Sequence, residues 1–448
     1  MTYQFRGQTH AVERLYLDFD SFFATAEQHF NPDLRGKPVG VIPLDSPHTG
    51  CIAISREAKA LGLKSMAKMS EARALIPDMI FVVARHDVYV RLHNRILEVI
   101  ETCLPVAKVR SIDEVVCHLL PSEAREGEAL ARRIKRALAK NFSDLLTCSI
   151  GMAPTETLAK IGAEMNKPDG FALIEATALP DQLAHLALRK LPGISQGMEA
   201  RLNAAGISDF EGLWRLAPKQ ARAIWGSVEG ERFWCELHGT HAERPATVKR
   251  MFGHSRMLPA DWRNPDKLRE CAQQLTISAG RRLRRADLRA TKLSLGFRGG
   301  ERPMSRTGKA DLRWGWEAQF LPARDDHRFL TALNEGLTAA RAALPFRPRS
   351  VSVMLHGLVS DENMTEDLFS DHDTGNGTMR DEQNRWEDVS DVMDRLRATH
   401  GPDAISLGPR STVPGGYLGA KIAFGRIPDQ ADFGDAPVSD HDTHFCSF

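Results

Sequence analysis

Ten residues, Tyr16 to Thr25, read YLDFDSFFAT and place two carboxylates, Asp18 and Asp20, at the end of an apolar run, followed at once by the aromatic pair Phe22 and Phe23. A second acidic pair, Asp113 and Glu114 in RSIDEVV, has a similar apolar setting further along. Carboxylates brought together from two such strands repel one another unless hard cations neutralise them. Oxygen ligands of this kind suit two Mg²⁺ ions, with Mn²⁺ as a substitute. The chemistry that follows most directly is two-metal phosphoryl transfer, in which one ion activates an attacking oxygen and the other stabilises a leaving pyrophosphate. Asp20 suits a structural role as well as direct ligation.

A chain of 448 residues is too long for one compact core, so several domains are expected. The longest apolar runs, such as Met79 to Ala84, fall far short of a bilayer crossing, and the first residues lack the order of a secretory signal. The expectation is no membrane partner and a cytoplasmic, nucleoid-associated location. Seven scattered cysteines without a CxxC pair favour neither a disulfide framework nor a zinc site. The net charge of +1 conceals a strong polarity along the chain. Residues 249 to 360 carry 22 Lys and Arg against 10 Asp and Glu, net +12, and residues 361 to 448 carry 7 against 18, net −11. So large a basic excess over so short a stretch points to a polyanion such as nucleic acid.

The elements that must hold the carboxylates can be read from periodicity. Leu15 to Phe19 reads as a buried strand and Ser21 to His29 as a helix, so the acids stand at a strand end. Val39 to Ile42 is a second strand, and helical stretches follow from Arg56 to Leu63 and from Ser70 to Leu75. Leu130, Ile134 and Leu138 mark an amphipathic helix whose basic side is either solvated or functional. Thr147 to Ala153 is strand-like and leads into a helix stopped by Pro168 and Gly170. Leu191-Pro192-Gly193-Ile194 fits a phosphate-holding helix-hairpin-helix or an ordinary helix-ending turn. In the basic segment, strand, helix, strand, strand, helix, strand is the ferredoxin-like split motif. Arg281, Arg282, Arg284, Arg285 and Arg289 cluster at the end of its first helix, as DNA-binding residues. After Ser360 the chain turns acidic, with a linker-like stretch from Ser370 to Asp381 and a helix from Val389 to Thr399.

These motifs, in this order, resemble a known family. LDFDSFFATAEQ with NPDLRGKPVGV, SIDE at Ser111 to Glu114, CSIGMAPTETLAKIGAEMNKPDG from Cys148 to Gly170, LPGI at Leu191 and GHSRMLP from Gly253 are similar to Y-family translesion DNA polymerases of the bacterial polymerase IV and polymerase V catalytic-subunit type. The resemblance covers roughly residues 14 to 360. It implies an α+β right-hand polymerase: a palm of residues 1–20 and 87–174, small fingers of 21–86, a helical thumb of 175–248 and a ferredoxin-like little finger of 249–360. An acidic extension of 361–448 follows.

The same resemblance implies roles. Asp18, Asp113 and Glu114 are the metal-binding catalytic carboxylates, with the backbone carbonyl of Phe19 completing one ion's shell. Phe23 is the steric gate beneath the incoming sugar, with Phe22 packing beside it. Lys167 contacts the nucleotide's phosphates. Where most members carry a tyrosine and an arginine to grip the triphosphate, this chain has Arg56 and Lys59, and the second glycine of the thumb hairpin is Ser195. Leu368 and Phe369 resemble the end of a sliding-clamp-binding peptide that lacks its leading glutamine; a chance Leu-Phe pair in an acidic tail reads the same way. The implied partners are primer-template DNA, deoxynucleotides, a sliding clamp and mutagenesis accessory proteins. Two other classes compete: a catalytically inactive family-like scaffold, which retention of the three acids opposes, and a nucleotide cyclase, which leaves the thumb hairpin and basic domain unexplained.

Overall fold

An apolar run with no hydrophilic face to offer to water belongs inside a sheet. In the computed structural model, β1 (Arg14–Phe19) is such a strand, buried from Leu15 to its end. The structure describes residues 11–43, 49–245, 248–258, 260–299, 312–344, 346–360 and 377–400, with 404, 405, 407 and 427 besides. They fall into two compact units that divide at residue 245.

In the first unit β1 is followed by α1 (Phe22–Phe30), β2 (Val39–Ile42), β3 (Ala53–Ile54), α2 (Arg56–Ala60), α3 (Met69–Leu75), β4 (Ile80–Val83) and α4 (His86–Glu101). The chain continues through β5 (Val106–Val109), β6 (Glu114–His118), α5 (Pro121–Arg125), α6 (Gly127–Asn141), β7 (Cys148–Ala153), α7 (Glu156–Met165) and β8 (Phe171–Leu173). Four short helices, α8 (Gln196–Ala204), α9 (Phe210–Trp214), α10 (Pro218–Trp225) and α11 (Glu229–Leu237), complete it. The main sheet runs β5-β6-β1-β7-β8, with β1 antiparallel to both neighbours, and a small sheet runs β3-β2-β4. Gly151 lets α7 lie against β7: a Cβ there would stand 1.9 Å from the Ala159 carbonyl oxygen. That close approach brings the lysines of the α7 segment over the end of β1.

The second unit holds β9 (Met251–Met257), α12 (Pro265–Arg284), β10 (Leu288–Gly299), β11 (Leu312–Ala323), α13 (Asp326–Ala343), β12 (Pro348–Ser360) and α14 (Gly377–His400). Its sheet order is β11-β10-β12-β9, the arrangement of the split motif. Alternate residues Leu293, Leu295, Phe297, Val351, Val353 and Leu355 point inward and share one core with Leu275 of α12 and Phe329 and Leu333 of α13.

The acidic extension departs from the linker expected of it. Residues 377 to 381, read from composition as flexible, are helical and continue into α14. The reason lies in tertiary pairing, which composition does not reveal. Asp394 accepts from Arg284 Nε at 2.8 Å, Glu387 accepts from Arg289 Nη2 at 2.9 Å, and Asp391 pairs with Arg324. Ser390 Oγ accepts the Asp326 amide at 3.0 Å at the start of α13, and Trp386 stacks on His327 with ring centres 4.2 Å apart. Among the described residues no helix is long and apolar enough to cross a membrane.

Arg284 sits at the centre of this ladder with its side chain 3% exposed, paired with both the fully buried Asp326 and the more accessible Asp394. Removing Arg284 strands a buried charge, whereas Asp394→Asn keeps an acceptor oxygen at a partly exposed position. Arg284→Leu should therefore cost about 3–5 kcal/mol of stability and Asp394→Asn about 1 kcal/mol or less. Urea unfolding of the intact chain measures both, and equal costs would contradict the buried-charge account.

Candidate active site

The register of β1 and β6 sets Asp18 directly opposite Glu114. At the same seam the Phe19 amide donates to the Asp113 carbonyl at 2.9 Å, which draws the SIDE turn onto the strand end. Behind that turn His93, buried in α4, bonds the Ile112 carbonyl through Nδ1 at 2.8 Å. Burial lowers the His93 imidazole to about 4, so the ring is neutral and Nδ1 carries the proton that it donates.

The acids are short of positive charge. Burial pushes Asp18 up to about 7 even though Lys167 Nζ lies 2.7 Å from its Oδ1 and pulls the other way; Asp113 and Glu164 add to the rise. Packing around the Asp113 carboxyl raises it too, against the hydrogen bond from Ser111. Glu114 is paired with Lys160 of α7. Against the penalty of burial, the charges of Asp18 and Glu164 hold the Lys167 ammonium above its ordinary range. Among the described residues no three His, Cys, Asp or Glu side chains stand grouped to hold a metal ion. The expected convergence of Asp18, Asp113 and Glu114 is thus met in the backbone, while each carboxylate is turned to a lysine or a serine. The donor set still fits a hard divalent ion: it is all oxygen, and one ammonium leaves Asp18 well above a carboxylate's ordinary range.

Asp20 resolves as a support. Its carboxylate accepts Thr147 Oγ1 at 2.9 Å, Ser149 Oγ at 3.0 Å and the Asp169 amide at 2.8 Å. The last bond holds the NKPDG turn, and with it Lys167, against the sheet. The turn needs its glycine, because a Cβ on Gly170 would meet the Asn166 carbonyl oxygen at 2.0 Å.

The aromatic pair is enclosed. Phe22 is 3% and Phe23 7% exposed, and Phe23 stacks on Tyr89 of α4 with ring centres 4.6 Å apart. Tyr89 donates to Glu27 Oε1 at 2.6 Å, and Arg85 clamps the same carboxylate from Nε at 3.1 Å and Nη2 at 2.6 Å. Arg56 reaches Thr147 Oγ1 at 3.3 Å and the Leu145 carbonyl at 3.2 Å. Burial lowers the Lys59 ammonium and the charge of Lys167 adds to this, while Asp20, Glu164 and Asp18 oppose it. Lys59 therefore shares the electrostatic surroundings of the site.

Other predicted residues lie elsewhere. Gly193 takes φ +89° at the LPGI turn, and Ser195 caps α8, its Oγ accepting the Met198 amide at 3.3 Å. Arg281, Arg284 and Arg289 face the carboxylates of α14, an engagement the arginine cluster did not announce. Arg282 donates to the Gly253 carbonyl at 3.1 Å, and Arg285 lines the groove between α12 and α14. Leu368 and Phe369 lie outside the described residues. Sequence reading missed Tyr16, Lys160, Tyr89 and Glu27. Tyr16 had a signal, since it shares a strand face with Asp18 two residues on.

Residues 17–164 match the model of the impB/mucB/samB family, and residues 249–368 match that of the impB/mucB/samB family C-terminal domain. A DNA polymerase IV of Moorella thermoacetica is 30% identical over 369 residues, 79% of this chain and 88% of the relative. A DNA polymerase IV of Pelotomaculum thermopropionicum is 28% identical over 90% of this chain and 96% of its own length. Among solved structures, a Y-family DNA polymerase chimera of Dbh and Dpo4 superposes with a TM-score of 0.63 at 21% identity, covering 78% of this chain and all of the chimera. An insertion ternary complex of Dbh DNA polymerase gives 0.51 at 23% identity, again over 78% of this chain and all of the other.

Asp20→Ala leaves three donors facing an apolar methyl, one of them a backbone amide that cannot turn away. A loss of about 3 kcal/mol is expected, with faster hydrogen exchange at the Asp169 amide, against about 1 kcal/mol for Ser149→Ala. An Asp20→Ala chain of unchanged stability with Asp169 still protected would remove Asp20 from this supporting role.

Proposed function

The chain belongs to the impB/mucB/samB family, the Y-family DNA polymerases, and we propose that it joins deoxynucleotides to a primer 3′-hydroxyl by two-metal nucleotidyl transfer at the β1–β6 seam. It is a DNA-directed DNA polymerase of the translesion class. The observation that carries the mechanistic proposal is the register that sets Asp18 opposite Glu114, with Asp113 bonded to Phe19 beside them.

In the reaction the primer oxygen forms a bond to the α-phosphate, the bond to the β-phosphate bridge breaks, and pyrophosphate leaves. Asp18, Asp113, Glu114 and the Phe19 carbonyl would hold Mg²⁺, or Mn²⁺ in its place. When bound, such ions supply charge neutralisation on the triphosphate and lower the pKa of the attacking hydroxyl. Lys167 exchanges its partner Asp18 for phosphate oxygens, and Lys59 adds a second cation from the fingers. Phe23, its ring fixed by Tyr89, forms the floor under the sugar and excludes a 2′-hydroxyl by contact. Arg56 keeps the fingers on the palm through Thr147 and Leu145, which places Lys59 over the phosphates.

Primer-template DNA is held by the amides around Gly193 and by the basic surface of the second unit. Arg281, Arg284 and Arg289 are left out of that role because α14 occupies them. Leu368-Phe369 is proposed as a clamp-binding pair on its position after the basic domain in sequence.

Two outcomes are expected in primer extension with Mg²⁺ and all four deoxynucleotides. Asp113→Ala/Glu114→Ala should abolish extension while the protein stays folded, and full extension by that variant would refute the site. Phe23→Ala should extend with ribonucleotides at least about tenfold better than the native chain; unchanged sugar discrimination would take the gate away from Phe23.

A further inference from the structure

Two ammonium groups stand on the carboxylates of this site, and the proposed reaction uses only one of them. Lys167 is released when phosphates arrive. Lys160 has no second partner of that kind: its Nζ is on the Glu114 carboxylate and 5.3 Å above the Tyr16 ring. Tyr16 is 2% exposed, so its ring is a fixed wall beside the ion pair. The ring also offers its electron-rich face to the ammonium, which adds to the cation's hold on this spot. The Lys160 side chain remains 29% exposed and that of Glu114 19%, so the pair can part without opening the core.

An ammonium and a divalent ion in contact with one carboxylate repel each other strongly. We infer that Lys160 is a positioning residue that competes with the divalent ion for Glu114. It holds that side chain in an ion pair with α7 and yields it when an ion binds. The inference rests on the reading of Asp18, Asp113 and Glu114 as metal ligands. Its consequence is an order of events: with both lysines in place an arriving divalent ion meets competing positive charge and is held weakly. A triphosphate, which removes Lys167 and brings negative charge of its own, makes ion binding favourable.

The test is Mn²⁺ binding to the full chain without DNA or nucleotide, read from the electron paramagnetic resonance of free Mn²⁺ at constant ionic strength. Lys160→Met should bind Mn²⁺ roughly fivefold tighter or more, and Lys160→Arg, which keeps the charge, should stay near the native value. Affinity of Lys160→Met equal to or below native overturns the inference, as does equal tightening in Lys160→Arg. Asp113→Ala/Glu114→Ala serves as the control on the underlying reading. If that variant binds Mn²⁺ as the native chain does, the ligand assignment falls, and the role of Lys160 falls with it. If it loses binding while Lys160→Met is unchanged, only the role of Lys160 falls. Should Lys160→Met fail to fold by circular dichroism, Lys160→Gln carries the test: it removes the same charge and should tighten Mn²⁺ to a similar degree, and no tightening overturns the inference.

Discussion

The constraint on which this structure turns is that carboxylates taken out of water at a strand end must be given positive charge or bonded hydrogens. Each acid at the seam between β1 and β6 has received one. Asp18 has Lys167, Glu114 has Lys160, Asp113 has Ser111, and Asp20 has three donors. Much of the surrounding fold serves these pairings. The glycine at 151 lets α7 come close enough to supply Lys160, and the turn at Gly170 aims Lys167. The two solutions differ in kind. Asp20 is satisfied by three hydrogen-bond donors from β7, the residue before it and the turn that precedes β8, whereas Asp18 is satisfied only in part, and a group left short of compensation is one that can bind something else.

The acids proposed as catalytic carry a local signal: acidic residues closing apolar runs are rare, and alternation in a strand fixes which neighbours share a face. Leu293, Leu295 and Phe297 declared β10 on the same grounds, and the split motif followed from the order of periods. Partners brought in from distant segments left no such mark. Tyr89 reads as one apolar residue of an amphipathic helix, and nothing in the sequence says that its ring lies on Phe23 while its hydroxyl reaches Glu27. The convergence of carboxylates was read from their chemistry, but their present orientations depend on lysines whose placement only the packing of α7 determines.

The second unit shows the same limit on a larger scale. Counting by segment separated a basic domain from an acidic extension, and each was given its own role. The structure joins part of one to the other: Glu387, Asp391 and Asp394 recur at helical spacing on one face of α14 and meet Arg289, Arg324 and Arg284. A basic excess therefore measures what a domain can attract and leaves open whether the partner is nucleic acid or the chain's own carboxylates. Arg284 shows which of its charges are committed, since a guanidinium enclosed between Asp326 and Asp394 cannot leave them without stranding a buried acid.

The departure at Arg56 is best understood through Thr147. That hydroxyl accepts from Arg56 and donates to Asp20, which in turn accepts the Asp169 amide beside Lys167. The helix that carries Arg56, the end of β1 and the turn that carries Lys167 are thus joined by one line of hydrogen bonds whose donors and acceptors alternate correctly, and bonds arranged in this way reinforce one another. A tyrosine at position 56 could stack beneath a sugar but could not supply the planar fork that reaches Thr147 and Leu145 together. The exchange gives up an aromatic ring and gains a tether between α2 and the segment that leads into β7. The proposed role of Phe23 in sugar selection gains weight by the same exchange, since its support from Tyr89, Glu27 and Arg85 is independent of that line.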